Sequence, residues 1–229
     1  MSTNPLLSAI KVPGESFQLP SLGLFYHDGE LDDEVKDGVV HVYPMRSIDK
    51  INLSSGNLLA TGDIVKVIFE HCVPEIKKPE QLCSRDVQFL LTCMHVVTYG
   101  PTMDVIVSGN CPQAIDEEHE VDLRQIIKNA TKLDPTTVDQ KFTVTLDNGQ
   151  VIKLKPMLFH ESRLIDEMSF KIQTDDTIDL AQLNDIMLNM LSFTILSIDG
   201  VTNREHILEW MRSISDGYIQ TLRPTIERV

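Results

Sequence analysis

The stretch "SRDVQFLLTCMHVV" (residues 84–97) decides the fold. Ser84 can cap a helix, and Val87, Leu90, Leu91, Met94 and Val97 recur at helical spacing. Phe89, Cys93 and Val96 add apolar surface on other faces, so a helix apolar nearly all round is expected at the centre of the fold. Tyr99-Gly100-Pro101 then reads as ordinary helix-stop chemistry. On both sides of this helix the period changes from helical to alternating. Upstream, "GVVHVYPM" (38–45) sets Val40, Val42 and Pro44 against Val39, His41 and Tyr43; downstream, "TMDVIVSG" (102–109) alternates and ends at Gly109. A helix flanked by such runs predicts an α+β protein with a helical core and small antiparallel sheets or hairpins.

Working outward, "FQLPSLGLFYHDGEL" (17–31) is expected to turn at Pro20 and Gly23, and its "GLFYHDGEL" (23–31) to form a short antiparallel sheet with 38–45. Residues 1–16 read as a polar arm, extended until a partner orders it, and 17–229 as a single α+β domain. "GDIVKVIFEHC" (62–72) places Ile64, Val67, Ile68 and Cys72 on one helical face, closed by Pro74. In "FTVTLDNGQVIKLKP" (142–156), two alternating runs flank Asp147-Asn148-Gly149, residue types that permit a tight hairpin turn. Residues 124–140 read as a helix start and a loop broken at Pro135. The C-terminal third reads as helical: 163–172, then "DLAQLNDIMLNMLSF", then "TNREHILEWMRSI", where Thr202 and Glu205 have capping-box spacing.

Composition narrows the function classes. The chain has 34 acidic and 20 basic residues, a formal charge of −14 that repels phosphate backbones, and no basic patch reverses it locally. Nucleic acid is therefore not an expected partner. No window approaches the ~18 apolar residues of a membrane span, and the N-terminus lacks a basic, then apolar, leader, so a cytoplasmic protein is expected. Cys72, Cys83, Cys93 and Cys111 are then expected as thiols and not as a disulfide framework.

Two constellations could carry metal chemistry. His71, Cys72, Cys83, Cys93, His95, Cys111 and His119 are zinc-ligand types, but no C-x₂₋₄-C pair is present. "AIDEEHEVD" (114–122) could supply ligands or a general base from Asp116, Glu117, Glu118, His119, Glu120 and Asp122. Consecutive carboxylates point in different directions, so a solvated loop is the expectation. Nucleophile elbows, H-E-x-x-H and Gly-rich phosphate loops are missing from the sequence. Met187, Met190 and Met211 fall at helical spacing and are expected to pack in a core. No catalytic, cofactor-binding or metal-ligating residue is assigned.

Several short motifs occur in a fixed order: "LPSLGLFY", "VVHVYPM", Asp86 with Leu90 and Leu91, Thr98-Tyr99-Gly100, Cys111-Pro112 and "IDGVTNREHILEW". In that order, over about residues 17–215, the chain resembles the baseplate protein family of T4-like contractile-tailed phages, which includes a hub subunit and a hub assembly factor. Leu19-Pro20-Ser21 and Gly23-Leu24 match the family's opening turn, and Met45 the end of its following strand. Ala114 stands where some members carry the second cysteine of CP-x-C, and His95 stands near a position often basic in relatives. The resemblance implies a non-enzymatic component of a tail baseplate hub, located in the host cytoplasm during assembly and then in the virion tail. The implied partners are other baseplate, hub or tail proteins, a tape-measure protein among them, in a symmetric multi-copy assembly. Leu19, Pro20, Leu22, Phe25 and Tyr26 are the expected partner contacts, Leu22 foremost because relatives often carry a polar residue there. A tail or hub assembly chaperone and a metal-dependent enzyme using 116–122 are the alternatives.

Overall fold

The computed structural model describes residues 13–53, 64–107, 117–174, 179–214 and 217. It is an α+β architecture with helical cores and small antiparallel sheets. Its contacts divide into two compact units, the first comprising residues up to 79 with 85–132, the second 80–84 with 133 onward.

In the first unit, β1 (Glu15–Gln18) pairs antiparallel with β2 (Val39–Val42), Phe17 opposite Val40. Alternation buries Val40 and Val42 and leaves Val39 and His41 outside. A lone two-stranded ribbon is marginal in water, so its inner face needs helices. The chain supplies α1 (Ser47–Leu53), α2 (Ile64–Cys72) and α3 (Ser84–Tyr99). α2 buries Ile64, Val65, Ile68, Phe69 and Cys72, and its last carbonyl, on Cys72, accepts the Tyr43 amide at 2.8 Å. α3 buries Val87, Leu90, Cys93, Met94 and Val96. It ends as expected, with Gly100 at φ +108 and its amide returning to the Val96 carbonyl at 3.0 Å. α3 is not buried on every side, however, since Leu91 is 39% exposed and Tyr99 51%. Next come β3 (Thr102–Val107), β4 (Glu117–Asp122), paired antiparallel, and α4 (Leu123–Asn129). Arg124 of α4 clamps Glu15 of β1 in a bidentate pair, at 2.8 and 3.0 Å.

The N-terminal sheet differs from expectation. "GLFYHDGEL" forms turns, and the strand that pairs with β2 lies upstream, beginning at Glu15 inside the expected arm. Residues 1–12 of that arm lie outside the described residues.

In the second unit, a short α5 (Val138–Lys141) leads into a three-stranded antiparallel sheet, ordered β5 (Thr143–Thr145), β6 (Val151–Leu154), β7 (Ile195–Ile198). The expected hairpin is present: the Leu146 amide donates to the Gln150 carbonyl at 2.9 Å, and Gly149 takes φ +86. β6 is covered on its other side by β7, a strand not read from the sequence, so β6 is central and of the hairpin's two strands β5 alone lies at an edge of the sheet. The remaining elements are α6 (Phe159–Thr174), α7 (Leu180–Ser192) and α8 (Arg204–Ser213). α7 starts in a capping box between Asp179 and Gln182. α8 is capped by Asn203, which accepts from the Glu205 and His206 amides, and not by the expected Thr202. Lys155 pairs with the buried Glu161 carboxylate at 2.6 and 2.7 Å, and that carboxylate also accepts the Leu158 amide at 2.9 Å.

Gly38, at the entry to β2, has φ +67, and a methyl group there would lie 2.6 Å from the Leu22 carbonyl carbon and 2.9 Å from the Gly23 nitrogen. Gly29, at φ +81, has nothing within 4 Å of the same position. Gly29→Ala is therefore expected to cost about 1 kcal/mol, the ordinary penalty of a left-handed alanine. Gly38→Ala should cost at least about 2 kcal/mol, because backbone must move as well. Denaturant midpoints of the two variants check this; equal shifts would rule out the close approach of the 19–23 turn to Gly38.

Candidate functional site

The turn 19–26 has almost no secondary structure of its own and is held from α3. Asp86, in the first turn of α3 and 1% exposed, accepts the Ser21 amide at 3.1 Å, the Ser21 hydroxyl and the Tyr26 hydroxyl. Ser21 Oγ in turn accepts the Gly23 amide at 3.2 Å. A carboxylate near a helix N-terminus also meets the favourable end of the helix dipole. Burial pushes the Asp86 carboxyl above the usual aspartate range, opposed by the two hydroxyls and the Ser21 amide.

This anchor fixes where the expected partner contacts sit. Leu19 is wholly buried in the first unit's core and offers no surface, which corrects its assignment as a contact. Its alternation with Phe17 continues the inward face of β1, and its amide is bound by the Gly38 carbonyl at 2.9 Å. Leu22 is half-buried at φ +57, a left-handed conformation that a leucine adopts only under constraint. Phe25 and Tyr26 are half-buried, with the Tyr26 hydroxyl turned to Asp86. Leu24, not among the expected contacts, is 42% exposed.

Pro20 lines a groove of about 840 Å³. One wall is Arg85, Gln88, Phe89 and Thr92, positions i, i+3, i+4 and i+7 on one face of α3; the other includes Gln125, Ile126 and Asn129 of α4. Ile126 is 52% exposed. The volume lies in the range of ligand and peptide clefts, and the lining mixes apolar side chains with neutral amides and one charge of each sign, Arg85 and Asp122. The Asp122 carboxylate also caps α4, accepting the Arg124 amide at 2.9 Å, which sets the helix direction along the groove. The paired Ile126-Ile127 in "DLRQIIKN" is the sequence signal for this wall.

A second buried carboxylate shows the opposite electrostatics. Asp49 of α1, fully buried, accepts the Arg46 amide at 2.8 Å, the Arg46 guanidinium at 3.3 Å and His71 Nδ1 at 2.8 Å. Burial pushes its carboxyl up, but the Arg46 amide, Arg46 guanidinium and His71 together hold it below the usual range.

The metal candidates are placed apart. The 117–122 stretch is strand β4 and not a loop, so alternation sends Glu117 and His119 to one face and Glu118, Glu120 and Asp122 to the other. Asp104 stands directly opposite Glu120, a like-charge cross-strand pair. Residues 114–116 and Cys111 lie outside the described residues. Cys72 and Cys93 are buried, with thiols pushed up by desolvation to about 11 and about 12. Among the described residues no three His, Cys, Asp or Glu side chains form a group that could hold a metal ion, and no helix is long and apolar enough to cross a membrane. No protein-family model, curated protein or solved structure matches the chain.

The two aspartates predict opposite pH dependence. Asp86 has a raised folded value, so the native state holds its proton to higher pH than the unfolded chain does. The stability of the native protein relative to Asp86→Asn should therefore fall as pH rises from about 4 through that raised value. Asp49 has a lowered folded value, so its contribution is full above the ordinary 3.8 and is lost as pH falls through the folded value. Denaturation midpoints from pH 2.5 to 7 should therefore move in opposite directions relative to Asp86→Asn and Asp49→Asn. At neutral pH, Asp86→Ala, which strands three donors, should cost about 3 kcal/mol, and Tyr26→Phe about 1.5 kcal/mol.

Proposed function

We propose that the protein is a non-enzymatic structural component of a contractile phage tail baseplate hub, acting through protein–protein interfaces. The observation that carries the interaction reading is the groove beside Pro20, where Phe89 and Ile126 line a cleft of about 840 Å³ whose position is fixed by the Asp86 anchor. A mixed-polarity cleft of this kind suits an amphipathic or extended segment of a neighbouring chain, whose apolar side chains would be desolvated at its centre and whose polar groups would meet the amides at its rim. The ordered motifs of the sequence support the tail assignment, and Leu19-Pro20-Ser21, the first of them, is the segment that Asp86 pins. The partner is a baseplate, hub or tape-measure protein, and the complete interface is expected to bury more than ~1,000 Å².

Two measurements test this. Mass spectrometry of purified particles should find the protein in fixed stoichiometry with other tail proteins. Copurification from infected cells without presence in particles would overturn the structural role and make the protein an assembly chaperone instead. In the same pulldown, Ile126→Glu, at an exposed position, should leave thermal stability within about 0.5 kcal/mol and lower recovery of tail proteins at least tenfold. Unchanged recovery would place the interface elsewhere.

A further inference from the structure

The second unit holds a smaller cavity of about 240 Å³, lined by Gln150, Ile198, Asp199, Val201, His206, Ile207 and Trp210. Local chemistry builds it. Asp199-Gly200, at φ +48 and +82, forms a two-residue turn closed by reciprocal Ile198 and Val201 backbone bonds at 3.0 and 2.8 Å. Asp199 also ties this turn to β6, its Oδ1 accepting the Val151 amide at 2.8 Å and its Oδ2 meeting Gln150 Nε2 at 3.4 Å. Trp210 of α8 donates its indole N–H to Gln150 Oε1 at 3.1 Å. That bond uses the indole's one donor, so what the ring contributes to the cavity is its carbon surface.

Among the groups lining the cavity, the Asp199 carboxylate is the one that selects a cation. Asp199 is exposed, its partners are neutral donors, and no ion pair among the described residues engages it. Each of its carboxylate oxygens takes one donor and keeps capacity for a second. The two arginines of α8 are engaged elsewhere: Arg204 lies over the Phe193 ring at 3.8 Å, and Arg212 binds Asp185 at 2.7 and 2.9 Å. An indole ring and a carboxylate without an ion-pair partner among the described residues, lining one cavity, match a guanidinium, which stacks on aromatic rings and donates in parallel pairs. The volume lies below the range of drug-sized sites and leaves room for one side chain.

We propose that this cavity is a docking site for an arginine side chain of a partner protein, stacked on Trp210 and paired with Asp199. The site stands on the second unit alone and is independent of the groove reading. Trp210 is the only tryptophan in the chain, so its fluorescence reports occupancy directly. The full-length protein is titrated with N-acetyl-arginine amide, with the lysine analogue and with the citrulline analogue, a neutral isostere of arginine. The arginine compound should give a saturable emission change with an apparent Kd at least threefold lower than either comparison. Asp199→Asn, which suits the left-handed turn and keeps an acceptor for the Val151 amide, should raise that Kd at least threefold. A non-saturable response, or equal responses to arginine and citrulline in the wild-type protein, overturns the proposal without need of any variant. Equal binding of lysine overturns the guanidinium assignment, and an unchanged Kd in folded Asp199→Asn overturns the role of the carboxylate.

Discussion

The geometry of the first unit depends on one buried carboxylate. Asp86 sits in the first turn of α3 and accepts one amide and two hydroxyls from the 21–26 turn. That turn cannot hold itself. Its internal backbone bonds are short-range, from Leu22 to Leu19 at 3.0 Å and from Leu24 to Ser21 at 3.1 Å, and they leave a leucine in a left-handed conformation. Such strain persists only where surrounding contacts over-determine it. Here the Asp86 hydrogen bonds from above and the close approach of Gly38 from below supply that determination. Pro20, between buried Leu19 and anchored Ser21, then has its position against α3 fixed as well.

Asp49 and Asp86 show that two carboxylates buried in one unit can be supported in different ways. Asp49 meets a guanidinium and an imidazole, which favour its charge. Asp86 meets only neutral donors, and desolvation outweighs them. The consequence for packing is that Asp49 joins α1 to α2 most strongly when ionised, whereas the Asp86 contact tolerates a proton. A neutral carboxyl still accepts on one oxygen and can donate from the other.

What was legible in the sequence was local. The helices over 64–72, 84–99 and 180–192, the Gly100-Pro101 stop and the Asp147-Asn148-Gly149 hairpin follow from periodicity and turn chemistry within a few residues. What lay beyond local pattern has physical causes. β4 was hidden because its carboxylates look like a solvated run, and only pairing with the apolar β3 makes it a strand. β7 was hidden because a short apolar run such as "TILSI" does not separate strand from helix. Thr202 and Glu205 have the right spacing for a cap, but Asn203 is closer to the helix start and stronger in that role. The Asp86 anchor was invisible in principle, since its partners lie 60 and 65 residues away, and so was the burial of Leu19 behind it.

Charge alone cannot supply specificity on a surface this acidic. At −14 overall, the chain attracts any basic partner at long range, and that attraction is screened beyond ~8 Å at physiological salt. Exposed ion pairs contribute about 0–1 kcal/mol, too little to hold a complex, but they steer encounter and orientation. Affinity in the proposed groove must therefore come from desolvating Phe89 and Ile126, with Arg85 and Asp122 setting the direction of the bound segment. The proposed cavity at Trp210 combines both effects in one side chain, because a guanidinium stacked on an indole brings its charge to a carboxylate while covering apolar surface. The two proposed sites would thus read different features of a partner: the groove an apolar stripe, the cavity a single arginine.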